Sequence, residues 1–215
     1  MYKLVVFDLD GTLLDTLDDL TSSVNYALEQ ISLPRRTREE VCSFVGNGIK
    51  KLMQRAIDGR YLDEERALSI FRNHYQEHCQ DQTKPYDGVL ELLGELQNKN
   101  MKTAVLSNKA DVATKKLAQN YFDGLLDKAV GENEAQGIRK KPAPDALLSL
   151  MQELGVTSLE TVYIGDSDVD IQTAKNAGVD CISVSWGFRD ERFLQEHGAT
   201  KIARTVYELK NFLGV

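Results

Sequence analysis

The chain has 215 residues and a formal net charge of −7, with 42% hydrophobic and 27% charged residues, a balance that fits a globular protein of one large or two modest domains. The acidic charge disfavours nucleic acid and other polyanions as partners, and no apolar run approaches the ~18 residues of a membrane span. No secretory pattern opens the sequence, and Cys42, Cys79 and Cys181 are far apart, so a cytoplasmic protein with reduced thiols is expected.

The first predicted element is Leu4-Val5-Val6-Phe7, a short β-branched-rich run that reads as a buried strand and leads directly into Asp8-Leu9-Asp10-Gly11-Thr12. Side chains alternate along an extended segment, so Asp8 and Asp10 converge on one face while Leu9 turns to the core. Two carboxylates this close repel unless a divalent metal or a shared proton lies between them. Gly11 permits a sharp turn, and Thr12 offers a hydroxyl and an amide to an anion.

Residues 16–84 change character. Apolar residues recur at three and four residue spacing, as in Val24, Leu28 and Ile31, then Leu52, Met53, Ala56 and Ile57, then Leu68, Phe71 and Tyr75. Breaks at Leu33-Pro34, Val45-Gly46-Asn47-Gly48 and Asp58-Gly59 suggest four or five helices. This segment is expected to be a helical insert, with residues 1–15 and 85–215 forming a separate core. Gly46, Asn47 and Gly48 expose backbone amides that a small acid can approach closely, although a plain turn between helices has the same composition. His74 and His78 read as a solvated helix face.

From Pro85 onward strands and helices alternate. Helices are predicted over 89–96, 111–120, 146–154, 171–177 and 206–212, and strands over 103–106, 161–164 and 181–184. Such alternation predicts an α/β fold with a doubly wound parallel sheet, a Rossmann-like core with helices on both faces. Its ligand crevice lies outside the carboxyl ends of the strands.

Several polar groups fall at that rim. The first strand ends in Asp8 and Asp10, the 103–106 strand in Ser107-Asn108-Lys109, and the 161–164 strand in Gly165-Asp166-Ser167-Asp168-Val169-Asp170. Lys141 precedes a helix, and Pro142 and Pro144 stiffen the backbone around it. Each piece alone reads equally as a helix cap or a solvated charge. Together, hard oxygen ligands without Cys or His select Mg²⁺, and an ionised carboxylate can attack phosphorus without a separate base. The chemistry they suit is phosphoryl transfer.

The D-x-D-G-T start, the Ser after a second strand, the Lys before Pro and the G-D-x-x-x-D run resemble, in this order, the four motifs of the haloacid dehalogenase superfamily. The insert resembles that superfamily's first-type cap. The resemblance implies that Asp8 is the nucleophile, that Asp10 is the acid that protonates the leaving group and the base that activates water, and that Thr12, Ser107, Asn108 and Lys141 hold the phosphoryl group. It further implies that Asp8, the Asp10 carbonyl, Asp166 and Asp170 hold Mg²⁺. The second Asp, at position 10, resembles the phosphatases and phosphomutases of the superfamily rather than its dehalogenases. The region around Gly46-Asn47-Gly48 is similar to the cap of bacterial phosphoglycolate phosphatases, which implies a small phosphorylated metabolite as partner and 2-phosphoglycolate as substrate. A pyrophosphatase or a sugar-phosphate phosphatase stays open. A β-phosphoglucomutase is disfavoured because Leu17-Asp18-Asp19-Leu20 stands where that family carries a His, and a phospho-accepting signalling domain because it has no helical insert. Nothing in the sequence indicates an oligomeric state.

Overall fold

The computed structural model describes residues 2–215; Met1, the first residue of the expected core, lies outside the described residues. The chain divides into two compact units, one that runs to Leu14 and resumes at Pro85, and one spanning Asp15–Lys84.

The first unit is built on a six-stranded parallel sheet. In chain order its strands are β1 (Leu4–Phe7), β4 (Lys102–Ala110), β5 (Lys128–Glu132), β6 (Thr161–Gly165), β7 (Asp180–Val184) and β8 (Ile202–Ala203). Two short strands, β2 (Leu14–Asp15) and β3 (Lys84–Pro85), pair where the chain passes from one unit to the other. The sheet order is β5-β4-β1-β6-β7-β8. The chain therefore builds outward from β1 through β4 and β5, then returns to the other side of β1 to lay down β6, β7 and β8. The order reverses beside β1, and a doubly wound sheet opens its crevice at that reversal, past the carboxyl ends of β1 and β6.

The two faces of β1 follow its alternation. Val5 and Phe7 join Val105, Val162, Ile164 and Ile182 beneath α5 (Val89–Asn98), α6 (Asp111–Phe122) and α10 (Val206–Leu213). Leu4 and Val6 join Ala104, Leu106 and Tyr163 beneath α7 (Asp145–Leu154) and α8 (Asp168–Ala177). Both faces of β1 are fully buried, as the continuous apolar run Leu4-Val5-Val6-Phe7 requires. A further short helix, α9 (Glu191–Glu196), follows β7.

The second unit contains α1 (Leu17–Gln30), α2 (Arg38–Phe44), α3 (Ile49–Ile57) and α4 (Glu64–His78). Their apolar stripes, among them Val24, Leu28, Val41, Met53, Ile57 and Phe71, are buried. Asp19 is buried near the start of α1 and accepts hydrogen bonds from the Thr83 hydroxyl at 2.7 Å and the Thr83 amide at 2.9 Å, tying the unit's first helix to its last residues. His74 departs from the expected solvated face. It is half-buried, stacked on Tyr26 with ring centroids 4.1 Å apart, and its Nδ1 is 3.0 Å from the Ser23 hydroxyl.

Candidate active site

The amide of Asp8 donates to the Ile164 carbonyl at 2.8 Å, carrying the β1–β6 pairing one residue past the end of β1. This fixes Asp8 at the sheet's reversal. Its Oδ1 accepts from the Leu9 amide at 2.7 Å and lies 2.9 Å from Lys141 Nζ. Gly11 turns the chain with φ +82, and a Cβ there would run into the Asp166 carboxylate, so the turn needs glycine twice over. Thr12 is buried, and its hydroxyl donates to Asp166 Oδ1 at 3.3 Å.

Lys141 is held from three sides. Its Nζ donates to Asp170 Oδ1 at 2.7 Å and to the Tyr163 hydroxyl at 3.1 Å, in addition to the Asp8 contact. Its backbone is clamped by the Asn108 side chain, whose Oδ1 accepts from the Lys141 amide at 2.7 Å and whose Nδ2 donates to the Lys141 carbonyl at 3.0 Å. Asp170 is fully buried in the first turn of α8, where its Oδ2 accepts from the Ser167 hydroxyl at 2.6 Å and the Ser167 amide at 3.1 Å. This reciprocal cap satisfies free amides at the helix start while aiming the other Asp170 oxygen at Lys141. The loop 185–190 closes the side: the Phe188 amide donates to Asp166 Oδ2 at 2.7 Å, and Trp186 Nε1 to the Thr12 carbonyl at 3.1 Å.

Oxygens of Asp8, Asp166 and Asp170 all lie within 4.8 Å of one another, and all three residues are buried. Burial raises the Asp8 carboxyl to about 7 against the pull of Lys141, with Asp170 and Asp10 adding to the rise. Asp166 is pushed well above the usual carboxylate range by burial, then by Asp170 and Asp8. Burial pulls Lys141 down, but Asp170 and Asp8 outweigh it and keep the ammonium charged. Fully ionised, three carboxylates against one ammonium leave two negative charges in a buried space. A hard dication fits that donor set and that deficit.

The structure thus brings together Asp8, Asp166, Asp170, Lys141 and Thr12, with Asn108 behind Lys141. Ser107 is buried within β4, its hydroxyl accepting from the Lys109 amide at 3.2 Å. Asp10 stands apart from the three-carboxylate group: both its oxygens accept from Lys109 Nζ at 2.9 Å. Sequence reasoning named Lys109 only within the strand-end run and gave it no role, and it did not name Tyr163 as a site residue. Gly46, Asn47 and Gly48 form the α2–α3 loop of the helical unit, where Arg55 donates to Asn47 Oδ1 at 2.7 Å and to the Phe44 carbonyl at 2.5 Å.

A family model described as haloacid dehalogenase-like hydrolase matches residues 5–184, and the chain belongs to that family. It is a phosphoric monoester hydrolase, of a family that generally uses a divalent metal. The chain is 36% identical over 202 residues to a phosphoglycolate phosphatase of Pseudomonas putida, covering 88% of this chain and 72% of that protein. A phosphoglycolate phosphatase of Chromobacterium violaceum is 34% identical, with 98% and 96% covered. A crystal structure from Lactobacillus delbrueckii subsp. bulgaricus, provisionally assigned as a phosphoglycolate phosphatase, superposes with a TM-score of 0.92 at 40% identity, covering 99% of this chain and 98% of that one.

Proposed function

We propose that this chain is a Mg²⁺-dependent phosphatase of small phosphomonoesters, foremost 2-phosphoglycolate, acting through an aspartyl-phosphate on Asp8. The observation that carries the reading is the buried group of Asp8, Asp166 and Asp170 clasped by Lys141, with Asp10 held separately two residues from Asp8. The named relatives support the substrate.

The residues divide the work. Asp8, Asp166 and Asp170, with the Asp10 carbonyl, would hold Mg²⁺, which would supply neutralising charge to the phosphoryl group. Lys141, Thr12 and Ser107 hold the same group, and Asn108 fixes where Lys141 points. Asp8 attacks phosphorus, the ester P–O bond breaks, and the leaving alkoxide takes a proton from Asp10. Water then attacks the phospho-enzyme and gives a proton to Asp10, and inorganic phosphate leaves as the bond to Asp8 breaks. The choice of ester is assigned to Gly46-Asn47-Gly48 of the helical unit, on their likeness to the cap of bacterial phosphoglycolate phosphatases.

A panel of phosphate esters and pyrophosphate, assayed with Mg²⁺ and ranked by kcat/KM, tests the assignment. We expect phosphoglycolate to lead, and a tenfold or greater preference for pyrophosphate or a hexose phosphate overturns the substrate while leaving the chemistry standing. Asp8→Asn should abolish phospho-enzyme and turnover together, and more than a few per cent residual activity removes covalent catalysis.

A further inference from the structure

We propose that Lys109 is a positioning residue for Asp10, orienting its carboxylate for the two proton transfers, and that it takes no part in metal binding or in the attack of Asp8. The inference rests on the acid–base reading of Asp10.

Three observations point this way. First, β4 runs nine residues against four in β1, and its pairing with β5 shifts register between Leu106 and Ala110. The segment 106–110 thus overruns the end of β1, and the irregularity re-aims its side chains. Lys109 is delivered to the level of Asp10 by the backbone, not by a flexible reach.

Second, the ion pair joins a buried Lys109 to a largely covered Asp10. The Lys109 and Asp10 side chains are 6% and 17% exposed. Burying an ammonium is expensive, and a well-packed apolar side chain would serve the fold as well or better. Lys109 Nζ stands 2.9 Å from each Asp10 oxygen, a bifurcated contact that fixes the carboxylate plane as well as its place.

Third, the charges are partitioned. Lys141 contacts Asp8 and Asp170, whereas Lys109 contacts Asp10. Counted as formal charges the Asp10–Lys109 pair balances itself, and the deficit that suits a dication lies in the group of Asp8, Asp166 and Asp170. A change at position 109 should therefore reach the steps that use Asp10 and leave metal affinity alone.

Lys109→Met keeps the length of the side chain and removes the charge; Lys109→Arg keeps the charge and alters the geometry. Each is compared with the wild type for hydrolysis of phosphoglycolate, for the burst and steady-state release of p-nitrophenolate from p-nitrophenyl phosphate, and for Mg²⁺ affinity by calorimetry. p-Nitrophenolate leaves without a proton, so its burst reports attack by Asp8 alone. Lys109→Met should lose 30-fold or more in kcat on phosphoglycolate with KM within threefold. On the aryl ester it should release a burst near the wild-type rate and then turn over slowly as phospho-enzyme accumulates, with Mg²⁺ affinity unchanged. Lys109→Arg should recover part of the lost kcat. Equal losses in burst, steady state and metal affinity mean that Lys109 supports the whole site and overturn the proposal, as does a variant with wild-type kcat on both esters. If Lys109→Met does not fold, Lys109→Arg carries the test: a burst slowed as much as turnover overturns it. Asp10→Asn separates the two readings. It should also give a burst followed by slow turnover, and if it leaves both esters unaffected the acid–base assignment itself is wrong, whatever Lys109 does.

Discussion

Gly187→Ala tests the close approach of loop 185–190 to the carboxylate group. A Cβ at position 187 would overlap the Gly11 carbonyl oxygen and stand 2.5 Å from both Cβ and Oδ2 of Asp166. Ordinary contact begins at 3.4 Å, so the loop or the Gly11 turn must retreat by about 1 Å or more. That retreat strains the two bonds the loop makes, Trp186 Nε1 to the Thr12 carbonyl and the Phe188 amide to Asp166 Oδ2. A neutral bond contributes about 1 kcal/mol and one to a charged acceptor about 1.5–3, so stability should fall by ~2–4 kcal/mol. A misplacement near 1 Å among reacting groups lowers kcat about 100-fold. Urea unfolding and turnover of p-nitrophenyl phosphate read the two effects. Gly94→Ala is the control, because Gly94 lies within α5 with nothing near its virtual Cβ; it should stabilise by ~0.5–1 kcal/mol and leave kcat alone. Wild-type stability in Gly187→Ala, with kcat within threefold, would refute the close packing.

The pH dependence of metal stabilisation follows from the raised acids. Asp8 near 7 and Asp166 above its usual range bind protons in the folded state that the unfolded chain has already released above pH ~4, so metal-free stability falls as pH rises from ~4 toward 7. The rise in Tm on adding Mg²⁺ over EDTA should therefore grow between pH 5 and 8, and a shift that is flat or shrinks counts against the three-carboxylate site. Asp8→Asn removes one of the crowded charges, so metal-free Tm at pH 8 should increase while activity vanishes, the gain being smaller at pH 5; a lower Tm at pH 8 contradicts the repulsion. In the helical unit Gly48 has φ +81, where any side chain is strained, so Asn47→Ala is the cleaner probe of the loop. It should raise KM for phosphoglycolate several-fold while sparing p-nitrophenyl phosphate, and equal losses on both would assign Asn47 to holding the helical unit together.

The sheet's centre was legible because β1 and β6 are short, fully buried runs rich in apolar residues that end in Asp or Gly punctuation. The edges were not. Lys128-Ala129-Val130-Gly131-Glu132 forms β5 at the sheet margin, where only Gly131 is buried and no periodicity betrays a strand. At the opposite margin β8 has two residues, too few to carry a pattern. The helix α8 begins at Asp168 rather than at the predicted Ile171; the Ser167-x-x-Asp170 spacing, within a cluster that read equally as a helix cap or solvated charge, was the available signal. Among the candidate residues, Asp8, Thr12, Lys141, Asp166 and Asp170 could be named because strand ends collect at one rim. The Asp10–Lys109 pairing depends on how far β4 overruns β1 and on a register shift, neither of which a single sequence displays. Tyr163 was hidden differently, as one aromatic among strand residues whose hydroxyl happens to face Lys141.

The partition of charge explains how two acids of the same type, two residues apart, can be given different tasks. Alternation alone would crowd Asp8 and Asp10 on one face and leave them equivalent. What separates them comes from other parts of the chain: Lys141, stationed by Asn108 and Tyr163, draws Asp8 toward Asp170, while Lys109, carried on the overrun of β4, takes both oxygens of Asp10. The group around Asp8 keeps an uncompensated negative charge and so invites a cation; the pair at Asp10 is already compensated and does not. A dication entering the site would therefore change the charge balance around Asp8 far more than around Asp10. On the proposed assignment of attack to Asp8 and proton transfer to Asp10, the two steps would lean on different lysines, and substitutions at 141 and 109 should fail in different half-reactions.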